Sequence, residues 1–157
     1  MKILLTGGTG YIGSHTVVEL INNGFTPVVV DNLSNSSKVV LESLKKITGK
    51  DIIFHQIDLC DKAKAQSIFE EHEISATIHF AAFKSVGEST EFPLKYYRNN
   101  LDSLINLLEI YQEKKLNNFI FSSSCSVYGQ PDKLPVTEQT PLKKPESPYA
   151  NTKRIGE

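Results

Sequence analysis

Three glycines near the start of the chain limit what this sequence can fold into. Gly7, Gly10 and Gly13 stand three residues apart, directly after the apolar run at residues 3–5 and before residues of helical period. In a strand–turn–helix unit this spacing gives a tight turn, lets the backbone approach a diphosphate and lets the helix pack close to the sheet. The N–H groups at the helix start then receive the phosphates. The glycines therefore predict a dinucleotide-binding turn.

Apolar runs and helical stripes alternate along the rest of the chain. Continuous runs predict short strands buried on both faces, at residues 3–5, 28–30, 52–54, 78–80 and 119–121. Helical stripes fall between them, at Ile12, Val17, Leu20 and Ile21, at Ala65, Ile68, Phe69 and His72, and over 93–115 with Leu101, Leu104, Ile105, Leu108 and Tyr111 on the inner face. This alternation predicts an α/β fold, a Rossmann-like doubly wound parallel sheet with helices on both faces.

Composition excludes several classes of function. The 157 residues are enough for one domain with a core, and a formal net charge of −1 argues against a nucleic-acid or membrane-surface binder. No long apolar segment or leader is evident, and two cysteines are too few for a disulfide framework, so we expect reduced thiols in a cytoplasmic protein. The four histidines show no ligand spacing, and we expect no metal site.

An acidic residue stands where a dinucleotide needs one. Asp31 ends the second apolar run, 18 residues beyond Gly13, where a carboxylate accepts hydrogen bonds from the adenosine ribose. A carboxylate there also repels a 2′-phosphate, which favours NAD over NADP. Small or polar residues follow later runs at Asp58, Ala81 and 122–124, as a ligand crevice at strand ends requires. Asp58 alone fits a helix cap equally well.

The last residues of the chain carry a pair suited to acid–base chemistry. Tyr149 and Lys153 are four residues apart, so they share one face of the helix that Ser147 and Pro148 begin. An ammonium beside a phenol and the positive start of a helix both favour the phenolate, which can take a proton from an alcohol. Ser124 follows the fifth run, where it can hold the alcohol oxygen. We predict that Tyr149, Lys153 and Ser124 are catalytic.

The sequence ends inside this newly begun helix. No domain boundary is expected a few turns into a helix. We therefore expect residues 1–157 to be an incomplete NAD-binding Rossmann domain at the front of a longer protein, truncated before the substrate domain. On that expectation the 157 residues alone do not turn over a substrate.

Five stretches together resemble the extended short-chain dehydrogenase/reductase family. They are TGGTGYIGSH, DNLSNS, HFAAFKSVGES, FIFSSSCSVYG and SPYANTK, and they follow the family's order across the whole chain. DNLSNS and KSVGES are most similar to the members that interconvert UDP-glucose and UDP-galactose. The resemblance implies a tightly held NAD, a UDP-sugar substrate and transient oxidation at sugar C4, after which the hydride returns to the other face.

The resemblance also implies roles for individual positions. Tyr149 would take the proton of the sugar 4-hydroxyl, Lys153 would bind the nicotinamide ribose, and Ser124 would hydrogen-bond the reacting oxygen. With Gly13 of the glycine turn, the residues along NAD would be Gly7, Gly10, Tyr11, Ile12, Asp31, Asn32, Asn35, Ser36, Asp58, Leu59, Phe80, Ala81, Lys84, Asn99 and Ser122. Plainer alternatives stay open, with Lys84 as a solvated lysine at a helix start and Asn35 and Ser36 as turn residues.

Departures from the family pattern bear on which reaction the chain supports. They fall at Ala82, Phe83, Cys125, Ser126 and Ala150. We expect them to affect how the substrate fits and how wide the cleft is, and to leave the proton and hydride roles unchanged. A related sugar-nucleotide 4,6-dehydratase would need an acidic pair after the strand-end serine, where Cys125 and Ser126 stand. A non-catalytic sensor or scaffold would tend to lose the tyrosine or the lysine, and this chain has both.

The family commonly forms homodimers through two helices. Tyr96, Leu101, Leu104 and Leu108 belong to the longest predicted helix, and they fit either the core or such an interface. Acceptance of N-acetylated UDP-sugars depends on the family's substrate domain, which has no counterpart in these residues.

Overall fold

The computed structural model describes residues 1–157, which are organised around one five-stranded parallel sheet. The strands are β1 (Lys2–Thr6), β2 (Thr26–Asp31), β3 (Ile53–Gln56), β4 (Ile74–His79) and β5 (Phe119–Phe121). Their order across the sheet is β3-β2-β1-β4-β5. The chain builds outward from β1 to β3 and then crosses to the other edge of β1, which is the predicted doubly wound topology.

Helices connect the strands and cover both faces of the sheet. They are α1 (Tyr11–Asn22), α2 (Val39–Thr48), α3 (Lys62–Glu71), α4 (Val86–Glu91), α5 (Pro93–Tyr97), α6 (Ser103–Lys114) and α7 (Pro148–Gly156). A π-helical turn (Arg98–Asp102) joins α5 to α6, and a 3-10 turn (Cys125–Tyr128) lies in the irregular segment before α7. None of these helices combines the length and apolar character that crossing a membrane requires.

Successive residues of the central strands pack against opposite layers of helices. Leu4 belongs to a buried cluster with residues of α3 and α6, whereas its neighbour Leu5 packs with residues of α1 and α2. Val28 and Val29 in β2 divide between the two clusters in the same way. Both faces of these strands are therefore removed from water, which explains why their sequences are continuously apolar.

The longest predicted helix is three elements in the structure. The segment 93–115 is divided into α5, the π-helical turn and α6. Leu104 and Tyr111 are buried as predicted, but the placement of Ile105 and Leu108 on the inner face is wrong, because these residues are 50% and 45% exposed. The helix has apolar residues on more than one side, and periodicity alone cannot tell which side meets the sheet.

Two other helical predictions differ from the structure. Ala65, Ile68 and Phe69 are buried in α3 as expected, but the helix ends before His72, whose backbone is extended at φ −128° and ψ 136°. Neither α2 nor α4 was predicted. Leu44 is the one buried residue of α2. Val40, Leu44 and Ile47 stand at helical spacing and were an available signal for this helix.

Candidate functional site

A crevice of about 520 Å³ runs along the carboxyl ends of the strands, beside the topological switch between β1 and β4. All the site residues suggested by the sequence line it, although they come from every part of the chain. They are Gly7, Gly10, Tyr11, Ile12, Gly13, Asp31, Asn32, Asn35, Ser36, Asp58, Leu59, Phe80, Ala81, Lys84, Asn99, Ser122, Ser124, Tyr149 and Lys153. Ile57 and Ser103 also line it, and the sequence did not single them out. Phe83, which the sequence marked only as a departure from the family pattern, lines it too.

Two of the three glycines are required by contacts within the protein backbone. Gly7 has φ +67°, and a Cβ atom there would lie 2.8 Å from the Ala81 backbone nitrogen. A Cβ atom at Gly13 would overlap the Gly7 carbonyl oxygen and lie 2.8 Å from Gly8 Cα. The turn therefore packs against the end of β4 on one side and against α1 on the other, with no room for a side chain at either contact.

Gly10 is less crowded than the other two, because a Cβ atom there would have one tight backbone contact and no overlap. Its φ of −74° suits any residue, and an added Cβ atom would meet only the Gly7 carbonyl oxygen, at 3.2 Å. It precedes the first turn of α1, which has neither a capping side chain nor an acidic residue. A helix N-terminus of this kind attracts negative charge. The bare surface at Gly10 fits the diphosphate of a dinucleotide.

Asp31 lies beside the glycine turn with its carboxylate held in place. One oxygen accepts a hydrogen bond from the Thr9 amide at 3.2 Å. The other accepts from the Leu33 amide at 2.9 Å and from Ser36 Oγ at 3.2 Å. Ser36 thus supports the turn, in keeping with the alternative role considered for it. Because a carboxylate has about four lone-pair sites, Asp31 keeps capacity for the hydroxyls of a ligand.

The start of α7 brings Tyr149 and Lys153 to the crevice. The Ser147 hydroxyl oxygen accepts a hydrogen bond from the Ala150 amide at 3.1 Å, and Pro148 occupies the first helical position. The helix therefore begins where the sequence predicted. One turn separates Tyr149 from Lys153, and both side chains line the crevice.

Lys153 is buried in a largely apolar setting. Only 5% of the residue is exposed, its Nζ donates to the Ser122 carbonyl oxygen at 2.6 Å, and the Phe121 ring centre lies 4.8 Å away. Burial lowers the pKa of Lys153 to about 8, because desolvation disfavours the ammonium. The side chain is thus charged at neutral pH and loses its charge as the pH rises above about 8.

Ser124 meets a neighbour that the sequence did not predict as a partner. Its Oγ accepts a hydrogen bond from the Ser126 amide at 3.2 Å and lies 2.9 Å from Ser126 Oγ. Ser126 is one of the departures from the family pattern. Since a hydroxyl has one donor and two acceptor sites, these bonds leave the Ser124 proton available to an oxygen in the crevice when Ser126 is the donor.

Asn100 is a site-supporting residue that the sequence analysis missed. It is 6% exposed, and its amide bonds both the N–H and the C=O of Phe83, at 2.8 and 2.9 Å. Its Nδ2 also donates to Thr152 Oγ1 at 3.1 Å. Thr152 stands between Tyr149 and Lys153 on α7, so one buried amide ties the loop after β4 to the helix that carries the pair. Its neighbours Arg98, Asn99 and Asp102 are also polar, so no signal in the sequence set Asn100 apart.

A buried histidine fixes the strand ends beneath the turn. His79 Nδ1 lies 2.8 Å from the Thr6 hydroxyl, and that hydroxyl accepts a hydrogen bond from the Ala81 amide at 3.2 Å. Either group can donate in the first of these bonds, because a hydroxyl oxygen has one donor and two acceptor sites, and the His79 ring is uncharged at neutral pH. Burial, and then the charge of Lys153, lower the pKa of His79 to about 3. This chain of bonds joins β1 to β4 where both border the crevice.

Fold and site together define a dinucleotide-binding domain of Rossmann type with a Tyr-x-x-x-Lys pair, as in extended short-chain dehydrogenases/reductases. The family model described as GDP-mannose 4,6 dehydratase matches residues 4–157. The chain belongs to that family.

Individual relatives narrow the comparison. The chain is 52% identical over 153 residues to UDP-glucose 4-epimerase of Bacillus subtilis, a match that covers 98% of this chain and 45% of the relative. It is 48% identical over 157 residues to the UDP-glucose 4-epimerase of Haemophilus influenzae, covering 100% of this chain and 46% of the relative. The chain thus spans less than half the length of these relatives.

Solved structures agree with the sequence relatives. The crystal structure of UDP-glucose 4-epimerase from Bifidobacterium longum in complex with NAD+ and UDP superposes with a TM-score of 0.97 at 43% identity, covering 99% of this chain and 47% of that one. The enzyme from Brucella ovis, in complex with NAD, gives a TM-score of 0.88 at 40% identity, covering 99% and 45%. The predicted family resemblance is confirmed.

Substitution of Gly13 tests the backbone contact at the turn. Gly13→Ala should lower the free energy of unfolding by at least about 1–3 kcal/mol, because the added methyl group meets backbone that cannot move aside. Urea denaturation followed by circular dichroism measures the change. Gly87→Ala is the matched control, since nothing lies within 4 Å of its Cβ position in α4, and it should be neutral or slightly stabilising. Equal effects of the two substitutions would contradict the steric argument.

Proposed function

We propose that this chain is the NAD-binding N-terminal part of a UDP-glucose 4-epimerase, an isomerase that interconverts UDP-glucose and UDP-galactose. The observation that carries the proposal is that Tyr149 and Lys153 line the same crevice as the glycine turn and Asp31. The relatives named above support the choice of reaction. When bound, NAD would accept a hydride from sugar C4 and return it to the opposite face.

The residues of α7 would handle the proton. Tyr149 would accept the proton of the sugar 4-hydroxyl and give it back at the end of the cycle. Lys153 would bind the nicotinamide ribose, and its charge would favour the phenolate of its neighbour. Ser124 would donate a hydrogen bond to the reacting oxygen. Because Lys153 has a pKa of about 8, its contribution would weaken in alkaline solution.

The residues near the glycine turn would hold the adenosine half of NAD. Gly10, with the start of α1, would receive the diphosphate, and Asp31 would accept hydrogen bonds from the ribose hydroxyls. A second negative charge at the 2′ position would be repelled by the Asp31 carboxylate. Asn32, whose amide donates to Asp58 at 3.3 Å, would help to orient that acid at the adenine.

The alternative of a 4,6-dehydratase has the family model's description in its favour. Dehydration needs a general acid that protonates the leaving hydroxyl. The positions after Ser124 hold Cys125 and Ser126, and neither is the carboxylic acid that this reaction's family places there. A non-catalytic sensor or scaffold needs neither Tyr149 nor Lys153, and both line the crevice. The epimerase therefore accounts for more of the residues present.

We infer that residues 1–157 form an incomplete domain and need a sugar-nucleotide domain for turnover. The support is the share of each relative that the chain covers, 45% and 46% for the two bacterial enzymes. A cytoplasmic location also remains our expectation. The activity tests below therefore apply to the complete protein, with the 157-residue chain assayed beside it and expected to show no turnover.

Replacing Tyr149 tests the proposed base. Tyr149→Phe removes the phenolic oxygen and should lower kcat by about 10²–10⁴-fold, whereas NAD binding should be retained. UDP-galactose formation is measured in a coupled assay, and bound NAD is measured by fluorescence. Tyr111→Phe is the control, since Tyr111 lies outside the crevice and donates to the Asn118 carbonyl oxygen. Near-normal turnover by Tyr149→Phe would overturn the assignment.

Replacing Asp31 tests the choice of cofactor. Asp31→Ala should weaken NAD binding by about 10–100-fold, because hydrogen bonds to a charged acceptor are lost, and should weaken NADP binding less. Titration calorimetry with both nucleotides gives the ratio. Asp51→Ala, at an exposed aspartate paired with Lys45, serves as control. An unchanged ratio of the NAD and NADP affinities would contradict the proposal that Asp31 binds the adenosine ribose.

We further infer that two copies of the protein pair through the outer face of α6. Tyr96 and Leu104 are buried and belong to the core, whereas Ile105 and Leu108 leave large apolar surfaces exposed three residues apart on α6. A second copy burying the same face would remove them from water.

The oligomeric state tests this pairing. A double substitution, Ile105→Glu with Leu108→Glu, should convert the complete protein from dimer to monomer in sedimentation velocity, because charge would be buried at the interface. Ile47→Glu, at a residue that is 67% exposed on α2, should leave the dimer intact. A wild-type protein that sediments as a monomer would contradict the proposal.

A further inference from the structure

A cluster of two histidines and one glutamate lies outside the crevice. His55 on β3 and His72, which follows α3, have their Nε2 atoms 2.8 Å apart. Glu71 Oε1 lies 3.7 Å from His72 Nε2, and its other oxygen lies 4.0 Å from His55 Nδ1. None of the three lines the crevice. The histidine spacing in the sequence, from which we expect no metal site, gives no sign of this cluster because β3 and the end of α3 meet only in the folded chain.

We propose that His55, His72 and Glu71 bind one divalent transition-metal ion of the zinc type. The ligand atoms, one from each side chain, all lie within 4.8 Å of one another. Two imidazoles and a carboxylate suit zinc and cobalt, whereas calcium and magnesium prefer oxygen ligands alone. Three protein ligands leave a fourth position for water, as in the open type of zinc site.

The distances are near those of a tetrahedral site. Metal–ligand bonds of about 2.0–2.1 Å put neighbouring ligand atoms roughly 3.3 Å apart. The two imidazole nitrogens must separate by about 0.5 Å from 2.8 Å, and Glu71 must approach His72 by about 0.4 Å from 3.7 Å. The widest pair of ligand atoms lies within 4.8 Å and must close by about 1.5 Å. The two rings meet edge to face, at an interplanar angle of 68°. Side-chain rotations, chiefly of the exposed Glu71, would complete the site.

The protonation states needed for a metal are accessible. In the present contact one Nε2 carries a proton and donates it to the other. Metal binding requires both Nε2 lone pairs, which moves that proton to Nδ1 of the same ring and leaves both rings neutral.

Burial and charge also fit a bound cation. The histidine side chains are 19% and 10% exposed, whereas Glu71 is 61% exposed. The two imidazoles thus lie on the buried side of the site, and a metal ion can enter from solvent on the side of the Glu71 carboxylate. Burial and, to a smaller extent, the charge of Lys2 lower the pKa of His72, and the charge of Glu71 acts the other way. Lys2 therefore opposes a bound cation, and Glu71 offsets it. A bound ion would join the edge strand β3 to the connection between α3 and β4.

Cobalt titration tests the site directly. Untagged, metal-free protein with Cys60→Ser and Cys125→Ser, which remove the two free thiols, is titrated with Co²⁺ and followed by its visible absorption. We expect saturation at one Co²⁺ ion per chain, displacement of that ion by Zn²⁺, and a higher melting temperature of the protein with either ion. A protein that shows no saturable Co²⁺ or Zn²⁺ binding overturns the proposal.

Substitutions locate the ion. His72→Gln and His55→Gln should each abolish the cobalt absorption, and Glu71→Gln should weaken binding by at least about tenfold. His15→Gln, on α1 and away from the cluster, should bind as the parent does. Because Glu71 is exposed, Glu71→Gln tests the site even where a histidine variant does not fold. Unchanged affinity in Glu71→Gln, or loss of binding in His15→Gln, would contradict the assignment.

Discussion

Close approach of backbone to backbone after β1 is the constraint on which the crevice depends. The turn touches the end of β4 at Gly7 and the start of α1 at Gly13, and no Cβ atom fits at either place. These contacts set the distance between the sheet and the first helix. They also leave Gly10, whose Cβ position has one close backbone neighbour, at the start of α1. One set of steric limits thus shapes both the fold and the surface proposed for the diphosphate.

On the other side of the crevice, burial determines the pKa of Lys153. Lys153 gives up most of its hydration, and its ammonium keeps one hydrogen bond to a carbonyl oxygen and one aromatic face. The cost of desolvation is visible in the lowered pKa. A lysine in this state remains protonated near pH 7 and acts through a poorly screened charge. That combination would suit the proton exchange that we propose for Tyr149.

The sequence predicted the elements that obey a simple rule. Strands buried on both faces appear as continuous apolar runs. The glycines follow the first of these strands and Asp31 ends the second, and both line the crevice. The outer and inner faces of α6 could not be told apart, because Ile105 and Leu108 are apolar yet exposed. Their burial depends on what lies beside the helix, and that information is not local to the helix.

Contacts between distant segments were the least accessible to sequence reasoning. Asn100 reads as one polar residue in a helix, and only the folded chain reveals that it bonds Phe83 and Thr152 at once. His55 and His72 likewise meet only because β3 and the end of α3 are neighbours. Each of these contacts joins separate segments of the fold, so the packing of those segments must be known before the contact can be inferred.

The π-helical turn gives Asn99 and Asn100 different tasks. Asn99 lines the crevice, while Asn100 is buried behind it and bonded to the loop after β4 and to α7. The Asn99 side chain in turn donates to Asn100 Oδ1 at 2.9 Å. A widened turn changes the angular position of the residues that follow it. With the helix interrupted here, α6 can bury one face on the sheet while Asn99 lines the crevice and Asn100 supports it from behind. The irregular turn is therefore part of how the crevice is built.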